Sequence, residues 1–200
     1  MIHQDPVFHG NVSTEHMVQL FDEPESRAEG VAAFLYRALC DGAPLLVVAR
    51  PINWTPIRAR LESMGCRVAE TIHEGRLVVL DAAATLASFV EDTPNSTLFQ
   101  RHLGDTIARL SKHGQVHAYG EMVDILAEQG RFDAAHELEM LWNQLAARES
   151  FTLLCGYASA HFGDARDADA LRRICRAHTQ VRAEESDLLG TWLLNDRQLG

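Results

Sequence analysis

A chain of 200 residues with 46% hydrophobic content can bury one substantial core, so a single α/β domain is expected rather than two. Its 18 Lys and Arg against 28 Asp and Glu leave a formal net charge of -10, which argues against a surface that tracks nucleic-acid phosphates or anionic lipid. The N-terminal MIHQDPVFHGNVSTEH has neither a basic nor an apolar targeting segment, and no apolar run approaches membrane-spanning length, so a cytoplasmic location is expected.

In chain order, residues 1–15 read as a mobile polar leader. His16 to Phe21 is strand-like and runs into an acidic turn, Asp22-Glu23-Pro24-Glu25-Ser26. Ser26 with Glu29 reads as a capping box for a helix carrying Val31, Phe34, Leu35 and Leu39, which Gly42 ends. Leu45 to Ala49 is continuously apolar and β-branched in part, as in a strand covered on both faces. A second helix is expected from about Thr55 or Pro56 to Met64. Leu77 to Leu80 repeats the buried-strand pattern and ends at Asp81, and helical runs follow over 82–90 and 98–112 around the breaker Thr93-Pro94-Asn95. Val116 to Tyr119 leads through Gly120-Glu121 into a helix ending at Gly130. Asp133 opens another, striped by Leu138, Leu141, Trp142 and Leu145. Phe151 to Ala158 reads as a fifth strand, followed by an arginine-rich helix over 168–177 and a short helical tail over 184–194.

Alternating strands and helices with long crossovers predict a three-layer α/β sandwich around a mostly parallel sheet. Ligands of such sheets bind beyond the carboxyl ends of the strands, where Asp22, Glu23, Arg50, Asp81, Gly120, Glu121 and Tyr157 fall. Asp22, Glu23 and Asp81 are equally readable as helix N-terminal carboxylates. Glu121, straight after a buried strand and Gly120, is the stronger candidate. A nucleotide-phosphate loop needs small residues, free N–H groups and a lysine. The first strand instead meets a proline and carboxylates, and G-x-x-x-x-G-K-[ST], G-x-G-x-x-G and G-x-S-x-G are all missing from the sequence.

Metal chemistry has little support in the spacing. Cys40, Cys66, Cys155 and Cys175 form no C-x-x-C pair and suit buried thiols in a reducing compartment. His113 and His117 fall off a common helix face, and Cys175 with His178 is at most half a site, more readily a buried thiol beside a hydrogen-bonded histidine. Cys155, in an all-apolar strand with no base to assign to it, reads as core. Neither a metal nor a cofactor is therefore expected.

The segments HMVQLFDEP, PLLVVARP, GRLVVLDAAATLASFV, HAYGEMVDILAEQGRFDAAHELEMLWNQLA and FTLLCGYASAHF together resemble the MEDS domain, the methanogen/methylotroph DcmR sensory domain. The resemblance spans roughly residues 15–181. It implies a RecA-like fold, related to the circadian-clock ATPases but without the Walker A loop, and a role in sensing small ligands. Its family-like positions are His16, Gln19, Phe21, Gly120, Glu121, Trp142, Asn143, Cys155, Tyr157, Cys175 and His178. Gln180 and Ala183 depart from the histidine and proline that related sequences tend to place there.

The combined expectation is a leader (1–15), a sensory domain (16–182) and a helical tail (183–200). A small molecule is expected at the carboxyl edge, bound by Phe21, Asp22, Glu23, Tyr119, Glu121, Trp142, Asn143 and Tyr157. Without catalysis, and with no DNA-binding or kinase segment of its own, the domain would signal through a partner protein or an oligomer. The alternative is a ligand-free interaction scaffold on a degenerate ATPase fold.

Overall fold

The buried apolar runs of the sequence pair side by side. A computed structural model describes residues 14–163 and 167–182, and its centre is one sheet in the order β3-β2-β4-β5-β1-β6, every strand pair parallel. The strands are β1 (His16–Phe21), β2 (Leu45–Ala49), β3 (Leu77–Asp81), β4 (Val116–Gly120), β5 (Phe151–Ala158) and β6 (Gln180–Arg182). The helices are α1 (Pro24–Cys40), α2 (Pro51–Ser63), α3 (Val68–His73), α4 (Ala82–Ala87), α5 (Ser96–Phe99), α6 (Asp105–Leu110), α7 (Met122–Glu128), α8 (Phe132–Ala146) and α9 (Ala168–Arg176), with a π-helical turn at Gln100–Gly104 joining α5 to α6. The predicted three-layer α/β arrangement is therefore present. Among the described residues no helix is long and apolar enough to cross a membrane.

Strand alternation sorts the core into two halves. Met17, Phe21, Leu45, Val47, Tyr119 and Leu154 face α1, α2 and α3, whereas Val18, Leu20, Leu46, Val48, Ala118, Cys155 and Tyr157 face the layer of α4 to α9. Connections running toward the β3 edge put their helices on the first face, and those running toward the β6 edge put theirs on the second, as a single crossover hand requires. Three neighbouring pairs, β3/β2, β2/β4 and β5/β1, thus send their following helices to opposite faces, and the two central ones, β2/β4 and β5/β1, open crevices at their carboxyl ends.

Several boundaries differ from the sequence expectation. Helix α1 begins at Pro24 with Glu23 as its N-cap residue, not at Ser26, because proline's fixed φ suits the first helical position. Ser26 lies one turn in, where its hydroxyl accepts from the Glu23 N–H at 3.3 Å and donates to the Glu23 carbonyl at 2.9 Å. Helix α2 starts at Pro51 for the same reason and carries Pro56 inside it. The six-residue α3 and the three-residue edge strand β6 are additions, and β6 makes a sixth strand. The expected leader to residue 13 and the tail helix over 184–194 lie outside the described residues.

Candidate functional site

Where the two crevices meet, the chain brings four charged side chains together, three of them buried and the fourth, Arg50, partly so. Arg27, on the α1 stripe with Val31 and Leu35, is 5% exposed, and Glu121 and Asp124 are fully buried. The Arg27 guanidinium donates to the Tyr119 hydroxyl and to Glu121 Oε2, both at 3.3 Å, and to Asp124 Oδ2 at 3.2 Å, with its carbon 5.1 Å from the Phe21 ring centroid. Arg50, the first residue after β2, reaches the other way, donating to Asp124 Oδ2 and to Glu128 Oε2, the latter at 2.8 Å. Its backbone N–H and the Asn53 amide both donate to Glu121 at 2.5 Å. Glu121 precedes α7 yet caps no N–H of it; its carboxylate is spent instead on three donors from α1 and the β2–α2 junction.

Over this network lies a cavity of about 190 Å³ lined by Phe21, Asp22, Glu23, Arg27, Arg50, Asn53, Glu128 and His161 among others. Two nitrogens at its edge are buried without a hydrogen-bond partner among the described residues: Arg50 Nε, with Glu121 Oε2 standing 3.8 Å away, and His161 Nε2, at an ion-pair distance of 3.2 Å from Asp124 Oδ1. Gly156 in β5 makes the floor possible, since a Cβ there would stand 2.9 Å from the Tyr119 hydroxyl and 3.1 Å from the Phe21 ring. A larger hollow, about 620 Å³, is walled by residues 87–98 alone, one loop with no convergence of charged groups from other elements.

The two buried carboxylates titrate in opposite directions. Burial raises Glu121 above its ordinary value, against the opposing pull of Asn53, Arg27 and Arg50. Burial acts the same way on Asp124, but there the His161 imidazole, Arg27, the Ala158 N–H at 2.7 Å and Arg50 outweigh it and hold the carboxyl below its ordinary value. A depressed pKa gives Asp124 a stabilising contribution that is complete above its unfolded value of about 3.9 and is lost as pH falls through the lower folded one. Glu121, raised on folding, contributes with the opposite slope. Asp124→Asn is expected to cost about 3 kcal/mol at neutral pH and to shrink on acidification, measured as urea midpoints between pH 3 and 7. A cost independent of pH would show that shape rather than charge sets Asp124's contribution.

The sequence-predicted residues divide between the two faces of the sheet. Phe21, Asp22 and Glu23 line the cavity, and Tyr119 and Glu121 lie beneath it. Asp22 accepts from the Ser159 hydroxyl at 2.5 Å, and Asp81 caps α4 by accepting from the Ala84 N–H at 2.8 Å, which is the structural role open to it. Trp142, Asn143 and Tyr157 belong to the opposite face. The Trp142 ring meets Phe99 edge-on at 5.0 Å and Phe151 at 6.0 Å, inside the core under α8. Tyr157 donates to Glu139 Oε1 at 2.8 Å, and Asn143 Oδ1 lies 2.8 Å from His16 Nδ1. Cys155 does have a base beside it, contrary to expectation: its sulfur is 3.4 Å from His16 Nε2 and 3.2 Å from Glu139 Oε2. Burial and the Glu139 charge push that thiol well above its ordinary pKa, the opposite of the shift that activates a cysteine nucleophile.

The sequence places Arg50 at the edge of the site but does not single out Arg27, Asn53, Asp124 or Glu139 for it. A signal existed for three of them. Arg27 on α1, Asp124 on α7 and Glu139 on α8 each occupy a core-facing position of an otherwise apolar helical stripe, where an ionised side chain needs a buried partner.

A search of curated proteins finds no match to the chain. The sequence model of the MEDS family, the methanogen/methylotroph, DcmR sensory domain, matches residues 15–179. That match takes in β1 through α9 and ends one residue before β6, and with it both the Glu121 network and the Glu139 cluster. The chain belongs to the MEDS sensory-domain family.

Proposed function

We propose that this chain is a non-catalytic sensory domain in which a small polar molecule enters the cavity at the carboxyl edge and is read through Arg50. The observation that carries the proposal is the unpartnered Arg50 Nε–H beside a cavity, on a side chain that already bridges the β2–α2 junction to Asp124 and Glu128 of α7. Since liquid water takes about 30 Å³ per molecule, the volume suits a ligand no larger than about six waters. Five carboxylates (Asp22, Glu23, Glu121, Asp124 and Glu128) against two guanidinium groups leave an excess of three formal negative charges. The ligand therefore carries an acceptor for Arg50 and a cationic or donor-rich group for the rim. Phe21, Asp22, Glu23, Tyr119 and Glu121 form the ligand side of the network, with Arg27, Arg50 and Asn53. Trp142, Asn143 and Tyr157 support the other face.

We read the fold as a RecA-like one whose phosphate loop has become the Asp22-Glu23-Pro24 turn, where carboxylates repel a triphosphate. A ligand that draws Arg50 away from Glu128 changes the exposed end of α7, and a partner protein or a second copy reads that change. Four free cysteines suit a reducing cytoplasm.

Thermal unfolding with ethanolamine, acetamide and glycinamide tests the reading. At least one should raise the wild-type midpoint progressively with concentration, and Arg50→Ala should weaken its apparent affinity at least tenfold. Midpoints that never move with these compounds, or that move equally in Arg50→Ala, would favour the ligand-free scaffold.

A further inference from the structure

On the sheet face away from the cavity, four side chains from four separate segments turn donor atoms toward one point. They are His16 from β1, Glu139 from α8, Cys155 from β5 and His178 from the turn after α9, and one ligand atom of each lies within 4.8 Å of all the others. All four residues are at most 5% exposed. His16 Nε2 is 3.2 Å from Glu139 Oε2 and 3.4 Å from Cys155 Sγ, Cys155 Sγ is 3.2 Å from Glu139 Oε2, and His178 Nε2 is 3.3 Å from Glu139 Oε1.

The surrounding hydrogen bonds fix which atoms face inward. His178 Nδ1 lies 2.7 Å from the Ile174 carbonyl, which can only accept, so this nitrogen carries a proton and Nε2 is the atom turned to the cluster, able to offer a lone pair to a bound ion or, without one, a second N–H to Glu139. The Asn143 amide donates to the Ala177 carbonyl at 2.8 Å, which leaves its oxygen to accept from His16 Nδ1. His16 Nε2 is thereby also turned inward as a base. An imidazole that donates its outer N–H to a fixed acceptor and offers the other nitrogen to a shared centre is the arrangement that orients metal-ligating histidines. Zinc bonds of about 2.0–2.3 Å in a tetrahedron place the donors roughly 3.3–3.8 Å apart, close to the four separations just given, while the remaining pairs lie within 4.8 Å. A thiolate and a carboxylate would also cancel a divalent charge, and both imidazoles would remain neutral, in an interior that tolerates no net ion.

We propose that His16, Glu139, Cys155 and His178 form a closed, four-coordinate site for a zinc-class divalent cation, with Asn143 and the Ile174 carbonyl as its orienting groups. The ion displaces the Cys155 thiol proton on binding. It ties the α9–β6 segment to β1, β5 and α8, next to the bonds between Thr179 and His16 that already start the β1–β6 pairing. With every ligand buried, the ion is taken up during folding or when the α9–β6 segment opens. This site is independent of the ligand cavity.

The test uses the full chain, stripped with a chelator and titrated with Co²⁺ as a spectroscopic stand-in for zinc. One equivalent should give the absorption of tetrahedral cobalt together with a thiolate-to-metal charge-transfer band. Cys155→Ser should abolish the charge-transfer band, whereas Cys40→Ser, which removes an exposed thiol, should leave it intact. Asn143→Ala, which keeps all four ligands, should weaken Co²⁺ binding 10- to 100-fold and decides the matter even if Cys155→Ser does not fold. The proposal is overturned if the folded wild type gives no such band, if the band follows Cys40 rather than Cys155, or if Asn143→Ala binds Co²⁺ as the wild type does.

Discussion

Arg27→Ala is expected to destabilise the chain by about 3–5 kcal/mol, because it strands two buried carboxylates rather than removing a neutral contact. Arg27 supplies a donor to each of Glu121 and Asp124 and one to the Tyr119 hydroxyl, while its plane covers Phe21. Arg27→Lys should recover only part of the loss, since an ammonium cannot fork between two carboxylates as a guanidinium does. Denaturant unfolding of a double-mutant cycle separates charge from packing: in an Asp124→Asn background the Arg27→Ala cost should fall by at least 1 kcal/mol. Strict additivity would mean that the packing of the Arg27 stem on Phe21, not the ion network, holds α1 against α7.

Trp142→Ala should cost a similar amount, about 3–5 kcal/mol, for a different reason. Its indole is 1% exposed and closes an aromatic row in which Phe89, Phe99, Trp142 and Phe151 follow one another at centroid spacings of 5.7, 5.0 and 6.0 Å. Truncation leaves a void beneath α8 that backbone shifts cannot fill. Measured by denaturant midpoint, the loss should come with no change in affinity for any cavity ligand, because the residue sits on the other face of the sheet. A tenfold weakening of such a ligand in a still-folded Trp142→Ala would return Trp142 to the binding site.

The difference between Arg27 and Trp142 shows what the sequence makes legible. Apolar runs such as Leu45–Ala49 and Phe151–Ala158 declare buried strands, and both boundaries agree with the structure because a parallel strand covered on two faces has no polar alternation to blur it. The short β6, Gln180–Arg182, has an exposed-intermediate-exposed pattern and pairs with β1 alone, so nothing in its composition distinguishes it from a loop. Two prolines compete to start α2, and only the extended conformation of Arg50 before Pro51 decides between them.

For the candidate site, chain position tells which residues leave the carboxyl ends of strands, and so Asp22, Glu23 and Glu121 were reachable. Which face of the sheet a residue serves depends on register and on where each crossover helix goes. Tyr119 and Tyr157 occupy similar places late in neighbouring strands, yet their hydroxyls meet Arg27 on one face and Glu139 on the other. His16, Cys155 and His178 are spaced by well over a hundred residues in part, so their convergence with Glu139 is a property of the fold and has no local motif.

The role proposed for Arg50 is to receive a small polar ligand in the cavity over Glu121. Side-chain ¹⁵N–¹H NMR of the arginine Nε–Hε groups, followed while glycinamide is titrated into the folded chain, tests it most directly. A saturable shift of the Arg50 resonance is expected, with a smaller one at Arg27, while the backbone signals of residues 87–98 stay in place. An Arg50 resonance that does not move, or a saturable response confined to residues 87–98, would contradict it.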